Sequence, residues 1–183
     1  MNVAIFLDRD GTINEDIGYD FKLENLKILP GVIEGLKLLQ KDYQFFIITN
    51  QAGIGHGYYD FKTFERFNNA IVHHLRKMDI IIQKTYYCPH TPNENCECRK
   101  PKIKLIKQAE SEFNINIQDS WVVGDHPSDV LFGINAGCKT VYVLTGHGRD
   151  HYSDLRMKGI NPTIIADNFL IGAEKIVKNR NKK

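Results

Sequence analysis

The sequence predicts a parallel, doubly wound α/β sheet (Rossmann-like, with helices on both faces), and three observations predict it. Short apolar runs bounded by turn residues alternate with segments whose apolar positions recur at helical spacing, the order of repeated β-α units. The first run, Val3 to Leu7, passes directly into Asp8-Arg9-Asp10-Gly11-Thr12, so carboxylates gather where a buried strand ends. Two further polar clusters, Thr49-Asn50-Gln51 and Gly124-Asp125, also follow apolar runs.

The elements follow in order. After the first strand, Gly31 opens a helix bearing Val32, Leu36 and Leu39. Phe45 to Ile48 form a second buried strand. Asp60 caps a longer helix whose Phe64, Phe67, Ile71, Leu75 and Met78 make one core-facing stripe. Lys84 to Tyr87 give a short third strand, followed by an irregular stretch and a helix carrying Leu105, Ile106, Ala109 and Phe113. Trp121 to Val123 are the fourth strand. A short helix over Asp129 to Ala136 is stopped by Gly137. Thr140 to Leu144 form a fifth strand, and Thr163 to Ala166 a sixth before a last helix.

At 183 residues the chain suits one domain, expected over 1–178, with a basic tail over 179–183. The net charge of +2 is spread along the chain, which argues against a nucleic-acid partner. No apolar stretch approaches the roughly 18–20 residues of a membrane span. Nor does the N-terminus look like a secretory signal, so a reducing cytoplasmic setting is expected.

In extended backbone, side chains at i and i+2 share a direction, so Asp8 and Asp10 are expected to crowd one small space. Like charges that close need a cation or a proton between them. With parallel strands, Asp8, Asp10, Thr49, Asn50 and Asp125 meet along one sheet edge, where α/β sheets bind ligands. The basic pair Arg99-Lys100 precedes the helix between the third and fourth strands. Three carboxylates call for a hard divalent cation, and Mg²⁺ is the commonest beside phosphate. A hydroxyl, backbone amides and a lysine are the donors a phosphoryl group needs. A polar turn accounts for Asp-x-Asp-Gly alone, but not for this convergence. Phosphoryl chemistry is the expected function.

A second signal is independent. Cys88, His90, Cys96 and Cys98 place three sulfurs and one imidazole within eleven residues. That is the donor set of a closed tetrahedral Zn²⁺ site, favoured over disulfides in a cytoplasmic chain. The segment from Cys88 to Pro101 has few apolar side chains to fold it, so zinc is expected to order the loop and position Arg99-Lys100. Cys138 stands apart and is expected in the core.

These motifs resemble those of the haloacid dehalogenase (HAD) superfamily of phosphatases over essentially the whole chain. The resemblance implies that Asp8 is the nucleophile and Asp10 the general acid and then general base. It implies that Thr49 and Lys100 bind the phosphoryl group. Mg²⁺ would be held by Asp8, the backbone carbonyl of Asp10, and Asp125. Asp129 is either a supporting residue or a helix-start carboxylate. The zinc loop is similar to that of the D-glycero-D-manno-heptose 1,7-bisphosphate 7-phosphatases and histidinol-phosphate phosphatases, which have no large cap domain. Gly11-Thr12-Ile13-Asn14 with Asp16, Ile17, Gly18 and Tyr19, and Thr49 through Ile54, fit the heptose enzymes. Substrate contacts are then expected at Asp16, Ile17, Gly18, Tyr19, Asn50, Gln51, Ala52 and Arg99. Tyr19 has a second reading as an aromatic lid. His126 stands where those enzymes commonly carry a substrate-contacting lysine, and is either a contact or a solvent-facing turn residue. The short spacer from His90 to Cys96 is closer to the histidinol enzymes. A sugar bisphosphate is the first expected partner, histidinol phosphate the second, and a monomer is expected. A non-catalytic, zinc-clipped binding module is the reading from another class; the intact set of Asp8, Asp10, Thr49, Lys100 and Asp125 argues against it.

Overall fold

The computed structural model describes residues 1–180. Its elements in chain order are β1 (Ala4–Leu7), α1 (Val32–Leu39), β2 (Gln44–Asn50), α2 (Ala52–Gly55), α3 (Phe61–Lys77), β3 (Ile82–Cys88), α4 (Lys104–Phe113), β4 (Trp121–Gly124), α5 (Pro127–Ala136), β5 (Lys139–Val143), α6 (Tyr152–Met157), β6 (Ile164–Ala166) and α7 (Phe169–Arg180). The six strands form one sheet in the order β3-β2-β1-β4-β5-β6, and every pairing is parallel. Strand order reverses at β1, so the crevice between β1 and β4 is the topological switch point of a doubly wound sheet.

Period-two alternation explains why both faces are covered. Ile5 and Leu7 pack into the cluster formed with α1, α3 and α7, while Ala4 and Phe6 pack with α4 and α5 on the other face. A smaller cluster joins α5 and α6 through Val130, Tyr142 and Leu155. Cys138 is buried in the α4 face, as expected. Leu7 is in register with Ile47 and with Val123, so β1 and β4 end within one residue of each other while β2 runs three residues further, to Asn50. There is no large cap: the β1–α1 connection holds only short bridges and a 3₁₀ turn, and the β2–α3 connection holds the single turn of α2.

The structure adjusts several expectations. α5 begins at Pro127, with His126 as its cap, because proline is pre-set for the first helical position. Asp129 is the third helical residue, and its carboxylate accepts from the His126 N–H at 3.1 Å. The α3 stripe ends at Leu75; Met78 lies beyond the helix and is exposed. The single turns α2 and α6 are too short for periodicity to reveal. α7 runs through Arg180, two residues into the expected tail, and 181–183 lie outside the described residues. Among the described residues no helix is long and apolar enough to cross a membrane.

Candidate active site

Adjacent strand ends create the site. β1 stops at Leu7, Asp8 donates its N–H to the Val123 carbonyl at 2.9 Å, and its side chain opens into a cleft of about 530 Å³. Asp8, Asp125 and Asp129 each bring one carboxylate oxygen to a point where all lie within 4.8 Å of one another. The charge of Asp10 adds to the rise in the Asp8 pKa, and the chain turns just after Asp10 at Gly11 (φ +82°).

The electrostatic result follows from burial and neighbouring charge. Burial pushes Asp8 up to about 7, with Lys100 opposing and Asp129 reinforcing the rise. Burial, then Asp8 and Asp129, push Asp125 up to about 8. Room for Asp125 depends on glycine: a Cβ at Gly11 would stand 2.2 Å, and one at Gly146 2.3 Å, from its Oδ2.

Lys100 sits in the centre, 4% exposed. Its Nζ lies 2.5 Å from Asp8 Oδ1 and 2.6 Å from Asp129 Oδ1, and donates to the Ile48 carbonyl at 2.9 Å. Burial alone would lower its pKa, but Asp129 and Asp8 hold the proton more tightly than in a free lysine. Asp129 is therefore a partner of Lys100 as well as a helix-start residue. Asn50 clamps the lysine backbone: Oδ1 accepts from Lys100 N at 3.1 Å and Nδ2 donates to Lys100 O at 3.5 Å.

Asp10 lines the same cleft and is held by its own set of donors. Its Oδ1 accepts from Arg9 Nε (3.1 Å), Arg9 Nη2 (2.9 Å) and Asn14 Nδ2 (3.0 Å); its Oδ2 accepts from Arg9 Nη2 (2.7 Å) and Gln51 Nε2 (2.9 Å). Burial works against ionisation, yet the Arg9 guanidinium and these donors hold the carboxyl below its ordinary range. Arg9 is fully buried, 5.2–5.5 Å from the ring centres of Phe21, Phe64 and Phe67. Thr49 Oγ1 accepts from Gln51 Nε2 at 2.7 Å.

Of the expected substrate contacts, Asp16, Gly18, Tyr19, Asn50, Gln51, Ala52, Arg99 and His126 line the cleft. Ile17 does not: its side chain packs against the larger core, the apolar choice open to a half-buried isoleucine. Tyr19 is 55% exposed and stacks loosely on Tyr58 (4.6 Å between ring centres) and Tyr59 (6.4 Å). His126 is the α5 cap, its Nδ1 accepting from Ser128 N at 3.1 Å; burial lowers its pKa, against the pull of Asp129. Arg9, Phe21, Tyr59, Ser128 and His147 were not singled out from sequence. His147 reaches across the mouth to Asp16 (Nε2 to Oδ2, 3.2 Å) and donates its backbone N–H to Asp125 at 2.9 Å.

Cys88, His90, Cys96 and Cys98 converge beside this cleft. Their sulfurs lie 3.1–3.6 Å apart, and His90 Nδ1 stands 3.2 Å from Cys98 and 3.6 Å from Cys88. Ligands around tetrahedral zinc are spaced roughly 3.6–3.8 Å apart at the usual bond lengths, so the donor set fits that ion. Cys88 ends β3 and belongs to the core, whereas Cys96 and Cys98 belong to the loop that leads into Arg99-Lys100. The three-carboxylate cluster likewise fits a hard divalent ion, since three acid oxygens converge there beside one lysine and both Asp8 and Asp125 are raised.

A family profile described as HAD-hydrolase-like matches residues 97–170, which include Lys100, Asp125 and Asp129. The chain is 43% identical to the D-glycero-beta-D-manno-heptose-1,7-bisphosphate 7-phosphatase of Helicobacter pylori over 146 residues, covering 79% of this chain and 84% of that one. It is 40% identical to the D-glycero-alpha-D-manno-heptose-1,7-bisphosphate 7-phosphatase of Campylobacter jejuni, covering 77% and 81%. Among solved structures, the D,D-heptose 1,7-bisphosphate phosphatase of B. bronchiseptica, complexed with magnesium and phosphate, superimposes with a TM-score of 0.86 at 28% identity, covering 98% of this chain and 99% of that one.

Proposed function

Because the chain belongs to the haloacid dehalogenase superfamily of phosphatases, we propose that it removes the 7-phosphate of D-glycero-D-manno-heptose 1,7-bisphosphate. The observation that carries the chemistry is Lys100 Nζ seated between Asp8 and Asp129 at the switch point, with Asp125 beside them. The curated relatives, which carry that activity in their names, support the substrate.

In this mechanism Asp8 attacks phosphorus in line and becomes an aspartyl-phosphate, releasing the sugar oxygen. Lys100, already on Asp8 Oδ1, favours the charged form of that carboxylate and then meets the transferred phosphoryl oxygens. Thr49 donates to the same group. Asp10, ionised in the resting site, would first take up a proton from solvent, pass it to the leaving oxygen and afterwards take a proton from the water that hydrolyses the aspartyl ester. Asp8, Asp125 and the Asp10 carbonyl would hold Mg²⁺, which supplies charge neutralisation at the phosphoryl oxygens when bound. Asp129 stays with Lys100 and the α5 start.

Arg99 and the Asp16–Tyr19 turn would face the sugar and its second phosphate. Zn²⁺ held by Cys88, His90, Cys96 and Cys98 would serve order rather than chemistry. The free thiols fit a reducing, cytoplasmic enzyme. One chain carries the whole set, which fits a monomer.

A side-by-side comparison of kcat/KM for both heptose bisphosphate anomers and histidinol phosphate tests the substrate. One heptose anomer should win by about a hundredfold or more, equivalent to about 2.7 kcal/mol at the transition state. Preference for histidinol phosphate by that margin overturns the assignment. Relatives at similar identity are named for opposite anomers, so the same measurement chooses between them.

A further inference from the structure

We propose that Gln51 is a positioning residue: its amide fixes the orientation of the acid–base carboxylate of Asp10 and the donor direction of the Thr49 hydroxyl, and Tyr59 locks that amide. The inference rests on the reading of Asp10 as general acid.

Gln51 lines the cleft yet is only 2% exposed, and its amide is spent inside the protein. Nε2 donates to Asp10 Oδ2 at 2.9 Å and to Thr49 Oγ1 at 2.7 Å. Oε1 accepts from the Tyr59 hydroxyl at 2.8 Å and faces Arg9 Nη2 at 3.4 Å. An amide's two ends are usually hard to tell apart, but here chemistry decides. An ionised carboxylate only accepts and a guanidinium only donates, so Nε2 faces Asp10 and Oε1 faces Arg9.

Two consequences follow at the reacting groups. Thr49 spends a lone pair on Gln51, so its own proton is left to point elsewhere, as a donor should for a phosphoryl oxygen. Asp10 is gripped at both oxygens, by Arg9 and Asn14 on one and by Gln51 and Arg9 on the other, which fixes the plane of the carboxyl. With both amide hydrogens engaged, Gln51 has no free donor for a sugar; it acts through its neighbours.

Tyr59 is itself held. Its ring lies 4.1 Å from that of Phe21 and 6.4 Å from that of Tyr19. Gly53 makes the space, since a Cβ there would stand 2.2 Å from the Tyr59 ring and 2.8 Å from Tyr19. A continuous path thus runs from the exposed Tyr19 at the mouth, through Tyr59 and Gln51, to Asp10.

The test uses leaving groups. An alkoxide must be protonated to depart, whereas 4-nitrophenolate leaves without help, and kcat/KM reports only the steps through its departure. Gln51→Ala should lower kcat/KM for the heptose bisphosphate about tenfold more than for 4-nitrophenyl phosphate, a fraction of the 10²–10⁴ that general acids supply. Gln51→Glu keeps the shape but presents no donor to Asp10, and should show the same selective loss. Tyr59→Phe keeps the ring packing and should shift the ratio in the same direction about threefold, the scale of one hydrogen bond; it carries the test if Gln51→Ala does not fold. Asp10→Asn is the control and should be the most selective of all. If Asp10→Asn is selective while the Gln51 variants lose both substrates equally, Gln51 acts only on phosphate binding and the proposal is overturned. If Asp10→Asn itself lowers both equally, the general-acid reading fails and this inference with it.

Discussion

Raising the pH of the cation-free protein from 5 to 8 should destabilise it, and Mg²⁺ should return much of the loss. Asp8 is pushed up to about 7 and Asp125 to about 8 from an ordinary 3.8, in each case first by burial and then by neighbouring charges. In the unfolded chain both release their protons near pH 4, so from about pH 4 to pH 7–8 the folded state holds more protons than the unfolded one. Stability therefore falls as pH rises through that window, opposite to the behaviour of a salt-bridged aspartate. At about 1.4 kcal/mol per pKa unit, the rise at Asp8 alone corresponds to on the order of 4 kcal/mol from pH 4 upward, of which about 3 kcal/mol falls between pH 5 and pH 8. Asp125 adds less than a second such increment, because two acids sharing one space titrate together.

A cation that binds the ionised pair in the folded chain opposes this loss. At a hundredfold excess over its dissociation constant the gain is about 2.7 kcal/mol. At about 2–4 °C per kcal/mol for a chain of this size, Mg²⁺ should raise Tm by roughly 5–10 °C at pH 8 and by little at pH 5. Thermal unfolding with and without MgCl₂ at the two pH values reads this directly. Asp125→Asn should flatten both the pH slope and the Mg²⁺ response. An equal Mg²⁺-induced shift at pH 5 and pH 8, or a metal-free Tm that climbs with pH, would refute the buried-carboxylate account.

Two further outcomes are expected. The double substitution Cys96→Ser and Cys98→Ser removes only the loop-borne zinc donors; it should leave the sheet folded and lower kcat/KM through KM, on the order of 10²-fold if Lys100 moves by about 1 Å. Zinc content and kinetics are measured together, and normal kinetics in a zinc-free variant would sever the loop from the site. Gly11→Ala forces a Cβ against Asp125 at a backbone angle of φ +82°; on top of roughly 1–2 kcal/mol of left-handed strain, it should raise the Mg²⁺ concentration needed for half-maximal activity, and a wild-type Mg²⁺ dependence would show that Asp125 does not need that space.

What was legible in the sequence is what a strand end or a local cluster imposes. Asp8, Thr49 and Asp125 follow apolar runs that read as buried strands, and the four zinc donors lie within eleven consecutive residues. Periodicity carries no information about which residues meet across elements. Asp10 was expected to share a space with Asp8, but the donors that hold its carboxylate, Arg9, Asn14 and Gln51, could not be read from spacing. Arg9 was not singled out at all; its burial depends on Phe21, Phe64 and Phe67, from a loop and a helix further along the chain. Ile17 was grouped with its turn by resemblance, although its apolar side chain favours the core.

Lys100 shows why a metal loop and a strand-end amide serve one purpose. A free lysine side chain gives up about 1.5–2 kcal/mol of rotamer entropy when it is fixed, and this one is also buried between two acids. Its backbone is held on both sides by Asn50, and Cys98, two residues earlier, is tied to Cys88 at the end of β3. β2 and β3 are paired up to Asn50 and Cys88, so both tethers start from the same level of the sheet. From that platform the side chain reaches the Ile48 carbonyl, on the strand that carries Asn50, before it meets Asp8 and Asp129. The loop has almost no apolar residues with which to hold such a position. Ordering is supplied by the sheet on one side and the Cys/His cluster on the other, which is why removing the cluster should act on the phosphate-binding lysine before it acts on the fold.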